Sequence, residues 1–310
     1  MNFACNEVDV AAVGSLIAQD ATKGGVVSWL LVDAALLGPT QLAVVVARQR
    51  WRTSNTLEGS KLDSFGPHAP QLIELIGTPD HVIRGLESLR QMDRSAPALS
   101  VIYSRAPLSE LRALFAWLAH PRIDGDLDLH CRFADTRVLP HLLSVLSPAQ
   151  RFRVSQCVEQ WRWLDRMGRV GEWRCAATGV DTGLLDDADQ IQVDKAQFDA
   201  MLEASEPDIM FTLLLDNTPE LVPTSQRGQF HQTLVEVLAG ANTRGLKTPD
   251  DRLQFVILSL SCGLDFHLHA GLATTWEAVK DRGAKLCDQM KQWSDDLWTS
   301  LQAATPQHTA

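Results

Sequence analysis

At 310 residues, 45% of them hydrophobic and 21% charged, the chain is long for one hydrophobic core, comfortable for two lobes and too apolar to stay disordered. Its net charge of −10 argues against a phosphate-tracking partner, because nucleic-acid binding needs Lys and Arg in excess. Six cysteines, Cys5, Cys131, Cys157, Cys175, Cys262 and Cys287, show neither a CxxC pair nor a fixed spacing, so they read as reduced, mostly buried thiols and not as a zinc site.

The N-terminal MNFACNEVDV carries no basic segment followed by an apolar core, so it does not read as a secretory signal, and a cytoplasmic location is expected. Val26 to Val32 is a short apolar run that fits a buried strand. Pro39 then opens a helix that continues from Leu42 to Arg50. A second helix starts at Pro79 and carries Val82, Ile83, Leu86 and Leu89 at helical spacing. Ala98 to Tyr103 reads as a strand, and Pro107 to Leu118 as a helix with Leu111, Leu114, Phe115 and Leu118 on one face. Asp124-Gly125 is a turn signal, after which Leu127, Leu129, Cys131 and Phe133 alternate with polar residues like a half-buried strand. Helices follow from Asp135 to Leu146 and from Ala149 to Gln156. Val158 to Leu164 and Glu172 to Ala176 then form a hairpin through the Gly168 to Gly171 turn.

This rhythm predicts an α+β, or mixed α/β, N-terminal lobe over 1–180 and an all-helical lobe over 181–310. The acidic stretch Val180 to Gln190 marks the boundary. Beyond it, Thr248-Pro249-Asp250-Asp251 has the hydroxyl, proline and acids of a helix start, and Gly245 the flexibility to end the helix before it. The helix it opens, Arg252 to Cys262, is apolar nearly all round and should lie in the middle of its lobe. A last long helix is expected from Trp276 to Leu301, with PQHTA as a frayed tail. The most apolar runs, Val26 to Gly38 and Leu253 to Leu264, fall short of the ~18 residues that span a bilayer, so no membrane insertion is expected.

Three stretches together resemble the type VI secretion adaptor family, also called Tap or TEC chaperones, whose core was long catalogued as a domain of unknown function. They are Trp29 to Ala35, Ser104 to Leu118 and, most specifically, Cys131 to Gln150 (CRFADTRVLPHLLSVLSPAQ); Gly245 to Phe266 is similar to the helical lobe that usually follows. Cys131 and Thr136 depart from the family's Phe and Pro, and Leu114 to Trp117 from its basic third helix. The resemblance implies an adaptor or chaperone that binds a toxin effector, through the effector's N-terminal region, and helps load it on the VgrG spike. It implies protein–protein binding without catalysis, and hence no catalytic residue and no cofactor. The rival readings are an enzyme with a polar site between the lobes and a structural subunit of a secretion assembly.

Within the motif-bearing segments, Asp33, Arg132, Asp135 and Arg137 are expected to form a structural ionic cluster, since Arg and a carboxylate pair with fixed geometry. The segment Arg151 to Arg174 interleaves aromatics with arginines. Trp161, Trp163, Trp173, Arg162 and Arg166 are therefore candidates for cargo contacts, with a core hairpin carrying solvated arginines as the alternative. On a two-residue period Trp161 and Trp163 share one face and Arg162 the other. His267 and His269 lack a third ligand, so helix-end or loop roles are expected of them, and the acidic Asp124 to Asp128 lacks the closing Glu of a calcium loop. GxSxG, HExxH, GxxxxGKS/T and GxGxxG are all missing from the sequence.

Overall fold

The computed structural model describes residues 2–17, 25–123, 127–174 and 190–303. It divides into two compact units, Met1–Ser205 and Glu206–Ala310. The stretch expected to separate the lobes lies, apart from Gln190, outside the described residues.

Among the described residues the first unit holds nine strands: β1 (Val27–Val32), β2 (Thr53–Asn55), β3 (Gln71–Glu74), β4 (Leu99–Ser104), β5 (Arg122–Ile123), β6 (Leu127–Asp128), β7 (Gln160–Leu164), β8 (Val170–Trp173) and β9 (Gln192–Val193). Six of them form a sheet in the order β2-β3-β1-β4-β7-β8, antiparallel at every pairing. The other three make a small sheet in which β5 pairs antiparallel with β6 and parallel with β9. An α/β first unit and a helical C-terminal part are thus both present.

The large sheet is covered on both faces, which is why β4 is buried at every position. Alternation sorts its side chains. Leu30, Val32, Val101 and Tyr103 join one core with α1 (Ala34–Leu37), α2 (Pro39–Gln49), α3 (Pro79–Arg90) and the 3-10 segment Val10–Leu16. Trp29, Leu31, Ile102, Trp161 and Trp163 join the other with α4 (Leu108–Ala119), α5 (Leu139–Val145) and α6 (Pro148–Cys157). Burying each such Leu or Val contributes roughly 1.5–3 kcal/mol before chain entropy is set against it. Two glycines make room for tryptophans. A Cβ on Gly171 would lie 2.6 Å from the Trp163 ring, and one on Gly85 of α3 would lie 2.2 Å from the ring of Trp51.

Local sequence chemistry accounts for most helix starts. Asp33, Thr78 and Ser147 each accept a hydrogen bond from an N–H of the helix they open, and Ser147 and Gln150 complete a reciprocal capping box. Two expectations before residue 150 need correction. The strand expected over Leu127 to Phe133 ends after β6, because Phe133 turns inward to stack on Phe115 with centroids 5.2 Å apart. The helix expected from Asp135 begins only at Leu139, since the Asp135 carboxylate is held by Arg137 in the turn before it. Strands β2 and β3 carry no pattern that announced them; β3 pairs along the edge of β1, and β2 along the far edge of β3.

The helix α7 (Lys195–Asn217) begins in the first unit and continues into the second, with Pro207 just past the division. In the second unit, α8 (Arg227–Thr243) ends at Gly245, whose φ of 76° is left-handed. Next comes α9 (Pro249–Cys262), capped by Thr248, with Phe255, Val256, Leu258 and Cys262 buried. It packs on α8, on α11 (Leu286–Met290) and on α12 (Asp295–Ala303), so it is central, as its all-round apolarity requires. Buried Arg252 reaches Glu206, Asn242 Oδ1 and the Leu246 carbonyl. The long last helix is a correction: Gly283, at φ 64°, ends α10 (Ala273–Arg282), and α11 and α12 are separate pieces. No helix among the described residues is long and apolar enough to cross a membrane.

Candidate functional site

The four charged residues of the motif segments assemble as two ion pairs around the end of β1. Asp33 caps α1, its Oδ1 accepting from Leu36 N at 3.1 Å and its Oδ2 from Arg132 Nη2 at 3.0 Å. Asp135 accepts from the backbone N–H of Arg137 at 2.9 Å, and from its Nε and Nη2 at 3.1 and 2.6 Å. Backbone bonds from Asp33 N to Ala98 O and from Thr136 N to Pro97 O stitch both segments to the same stretch. Burial raises the Asp33 pKa; Arg132 opposes that shift and the Asp135 charge adds to it. Burial likewise pushes the Cys131 thiol up to about 12, so it stays protonated.

The tryptophan-arginine hairpin is placed differently from a docking surface. Trp161 is fully buried and its Nε1 donates to Ser100 Oγ at 2.9 Å, while Trp163 lies beside it in the same core. Trp173 is half-buried against that core. The arginines face the other way and hold the N-terminal segment. Arg162 Nη1 donates to Leu16 O at 2.9 Å, a carbonyl that Tyr103 Oη also reaches, and Arg166 Nη1 donates to Ala4 O at 3.4 Å. Trp161 and Trp163, enclosed in this way, are not available as surface anchors.

His267 packs against both Phe255 and Phe266, and His269 caps a short 3-10 turn through Gly271 N at 3.1 Å. Asp124 to Asp126 lie outside the described residues; Asp128 sits 3.7 Å from both His120 and Arg122. Among the described residues no three His, Cys, Asp or Glu side chains gather as metal ligands, and none of the five described cysteines is in a disulfide.

A cavity of about 270 Å³ opens beside the most specific motif segment. One wall is α5 and its flanks, with Val138, Leu142, Val145 and Leu146. The facing wall is the first turns of α7, with Phe198 and Met201, and Ile123 and Val193 of the small sheet, with Ile191 just before β9, complete it. Leu129, His130, Cys131 and Arg132 line its edge. The lining is overwhelmingly apolar, and Phe198 and Met201 remain partly exposed in it.

A chain of amides sets the two walls. Asp194 and Gln197 cap α7 reciprocally, at 2.8 and 3.1 Å. Gln197 Nε2 then donates to Val145 O at 2.7 Å and to Gln150 Oε1 at 2.8 Å, and Gln150 Nε2 donates to Gln192 O at 2.6 Å. The start of α7, the end of α5, the start of α6 and β9 are therefore tied together, and the groove exists before anything enters it. Sequence reasoning missed Ile191, Val193, Phe198 and Met201. The available signal was the Asp194–Gln197 capping box followed by apolar residues three apart.

A family model described as a domain of unknown function (DUF4123) matches residues 28–153. The match runs from β1 into α6, so it supplies the α5 wall and the Leu129–Arg132 edge of the groove but not the α7 wall. No curated protein and no solved structure matches the chain.

Proposed function

We propose that this protein is a non-catalytic adaptor of type VI secretion, which holds a toxin effector in the cytoplasm through an apolar segment of the effector's N-terminal region and helps load it on the VgrG spike. The observation that carries the reading is the preformed apolar groove of about 270 Å³, walled on one side by the Cys131 to Gln150 segment. All three stretches that resemble the adaptor family within the first unit fall inside the matched residues 28–153. A groove of this kind suits a helix or extended segment that inserts alternate apolar side chains. It would cover surface that a toxin otherwise exposes before export.

Tagged full-length protein, expressed in a type VI-competent host, tests the reading by mass spectrometry of what co-purifies. Wild type is expected to recover a toxin effector and the spike protein. Phe198→Glu and Met201→Glu put a charge on partly exposed helical groove positions where Glu is a good helix former. Both are expected to lose the toxin while melting like wild type. Recovery of neither protein by wild type, or full toxin recovery by both well-folded variants, refutes the proposal.

A further inference from the structure

We infer that Arg132 reads a carboxylate on the bound segment, so that the groove selects an apolar helix or strand carrying one acidic side chain next to its apolar anchors. The inference rests on the groove being the cargo site, as proposed above.

Among the described residues lining the groove Arg132 alone carries a permanent charge, and none of them is an acid. The other polar side chains there are committed. Gln197 spends its amide on Val145 O and Gln150 Oε1, and His130 directs Nδ1 at Ala119 O, 3.2 Å away, while stacking on Phe65. Burial keeps the His130 imidazole toward its neutral form, which leaves one cation among the described lining residues. Arg132 itself is half engaged. Its Nη2 is anchored to Asp33, and Asp33 is fixed in turn by Leu36 N and by its own backbone bond to Ala98. The side chain is nevertheless 42% exposed, and among the described residues no partner occupies Nε or Nη1.

A guanidinium held by one corner is pre-organised to give its remaining donors to a second carboxylate, and little rotamer entropy is left to lose. Asp33 is thus a positioning residue for the Arg132 fork. A fatty acid could present the same chemistry, with its head on Arg132 and its tail in the groove. The groove favours the protein segment, because it leaves Phe198 and Met201 partly exposed, whereas small-molecule sites bury most of their ligand. It suits a few side chains of a larger partner.

The test is a display selection on the full chain, using a library of sixteen-residue peptides with apolar residues at helical or alternating spacing and all other positions randomised. Binders are counter-selected on Phe198→Glu, so that only groove-dependent sequences survive. The expected result is enrichment of Asp or Glu at a fixed offset from the apolar anchors. Replacing that acid by its amide in the selected peptide, which leaves the protein untouched, should weaken binding roughly ten- to a hundredfold, the scale of a charge-assisted hydrogen bond. The same acid preference should vanish on Arg132→Gln and be reduced on Arg132→Lys, with melting curves taken alongside. Groove-dependent peptides without an acid preference overturn the inference and leave the groove as a docking site. No groove-dependent peptide at all, or Arg132-dependent binding of fluorescent oleate alone, overturns both.

Discussion

Replacing Asp135 by Ala removes the acid from the more enclosed of the two ion pairs. The Asp135 side chain is 1% exposed and that of Arg137 20%. Breaking a buried pair by deleting one partner costs about 3–5 kcal/mol, because the surviving charge is left without compensation. Here the guanidinium is a fifth exposed and lies 5.0 Å from the Phe3 ring centroid, so water and the ring recover part of the loss. The Arg137 N–H also loses its acceptor. The expectation is therefore the low end, about 3 kcal/mol. Because the chain holds two compact units, the assay is native-state hydrogen exchange at the amides of β4 and β7, which reports the first unit separately. A double-mutant cycle completes it: Asp135→Ala with Arg137→Ala should cost less than the sum of the single changes, since both single changes break the same pair. A single-mutant cost below about 1 kcal/mol, or simple additivity in the cycle, refutes the argument that this pair pins the turn before α5.

Three further outcomes follow from packing and charge. Gly85→Ala gains helix propensity, at most about 1 kcal/mol, but drives a methyl into the Trp51 ring; it should lower the melting temperature, through an overpacking cost of about 1–3 kcal/mol, and a rise contradicts the geometry. Thr248→Ala deletes the hydroxyl that accepts from Asp251 N at 3.3 Å, so urea unfolding should show a loss of about 1 kcal/mol confined to the second unit; an unchanged midpoint contradicts the cap. His130 has a folded pKa lowered by burial, with Arg132 and His120 also disfavouring its charged form and Asp33 favouring it. Below pH 6.5 the unfolded chain takes up a proton that the folded chain resists, so stability should fall as pH drops from 6.5 toward the folded value. His130→Gln should flatten that slope in denaturation curves at pH 7.5 and 5.5, and equal slopes in both proteins rule the effect out.

Local periodicity and end signals were enough to place β1, β4, β7, α2, α3, α4, α6 and the Thr248 cap, because each is decided by neighbours in the chain, whereas β8 starts at Val170, inside the stretch expected to be the turn. The same reasoning put Trp161 and Trp163 on one face and Arg162 on the other, which the sheet register repeats. It could not tell which face met solvent, since that depends on α4 to α6 covering the tryptophans and the N-terminal segment covering the arginines. The early end of the strand expected through Phe133 has a similar cause: Phe115, eighteen positions away, receives the ring. Beyond local order, the groove belongs wholly to tertiary structure. Its walls come from α5 and α7, more than fifty residues apart, and a chain of side-chain amides holds them at their spacing. Sequence proximity carries no trace of such a contact, because hydrogen bonds and apolar burial act on distance in space, and only the folded chain sets that distance.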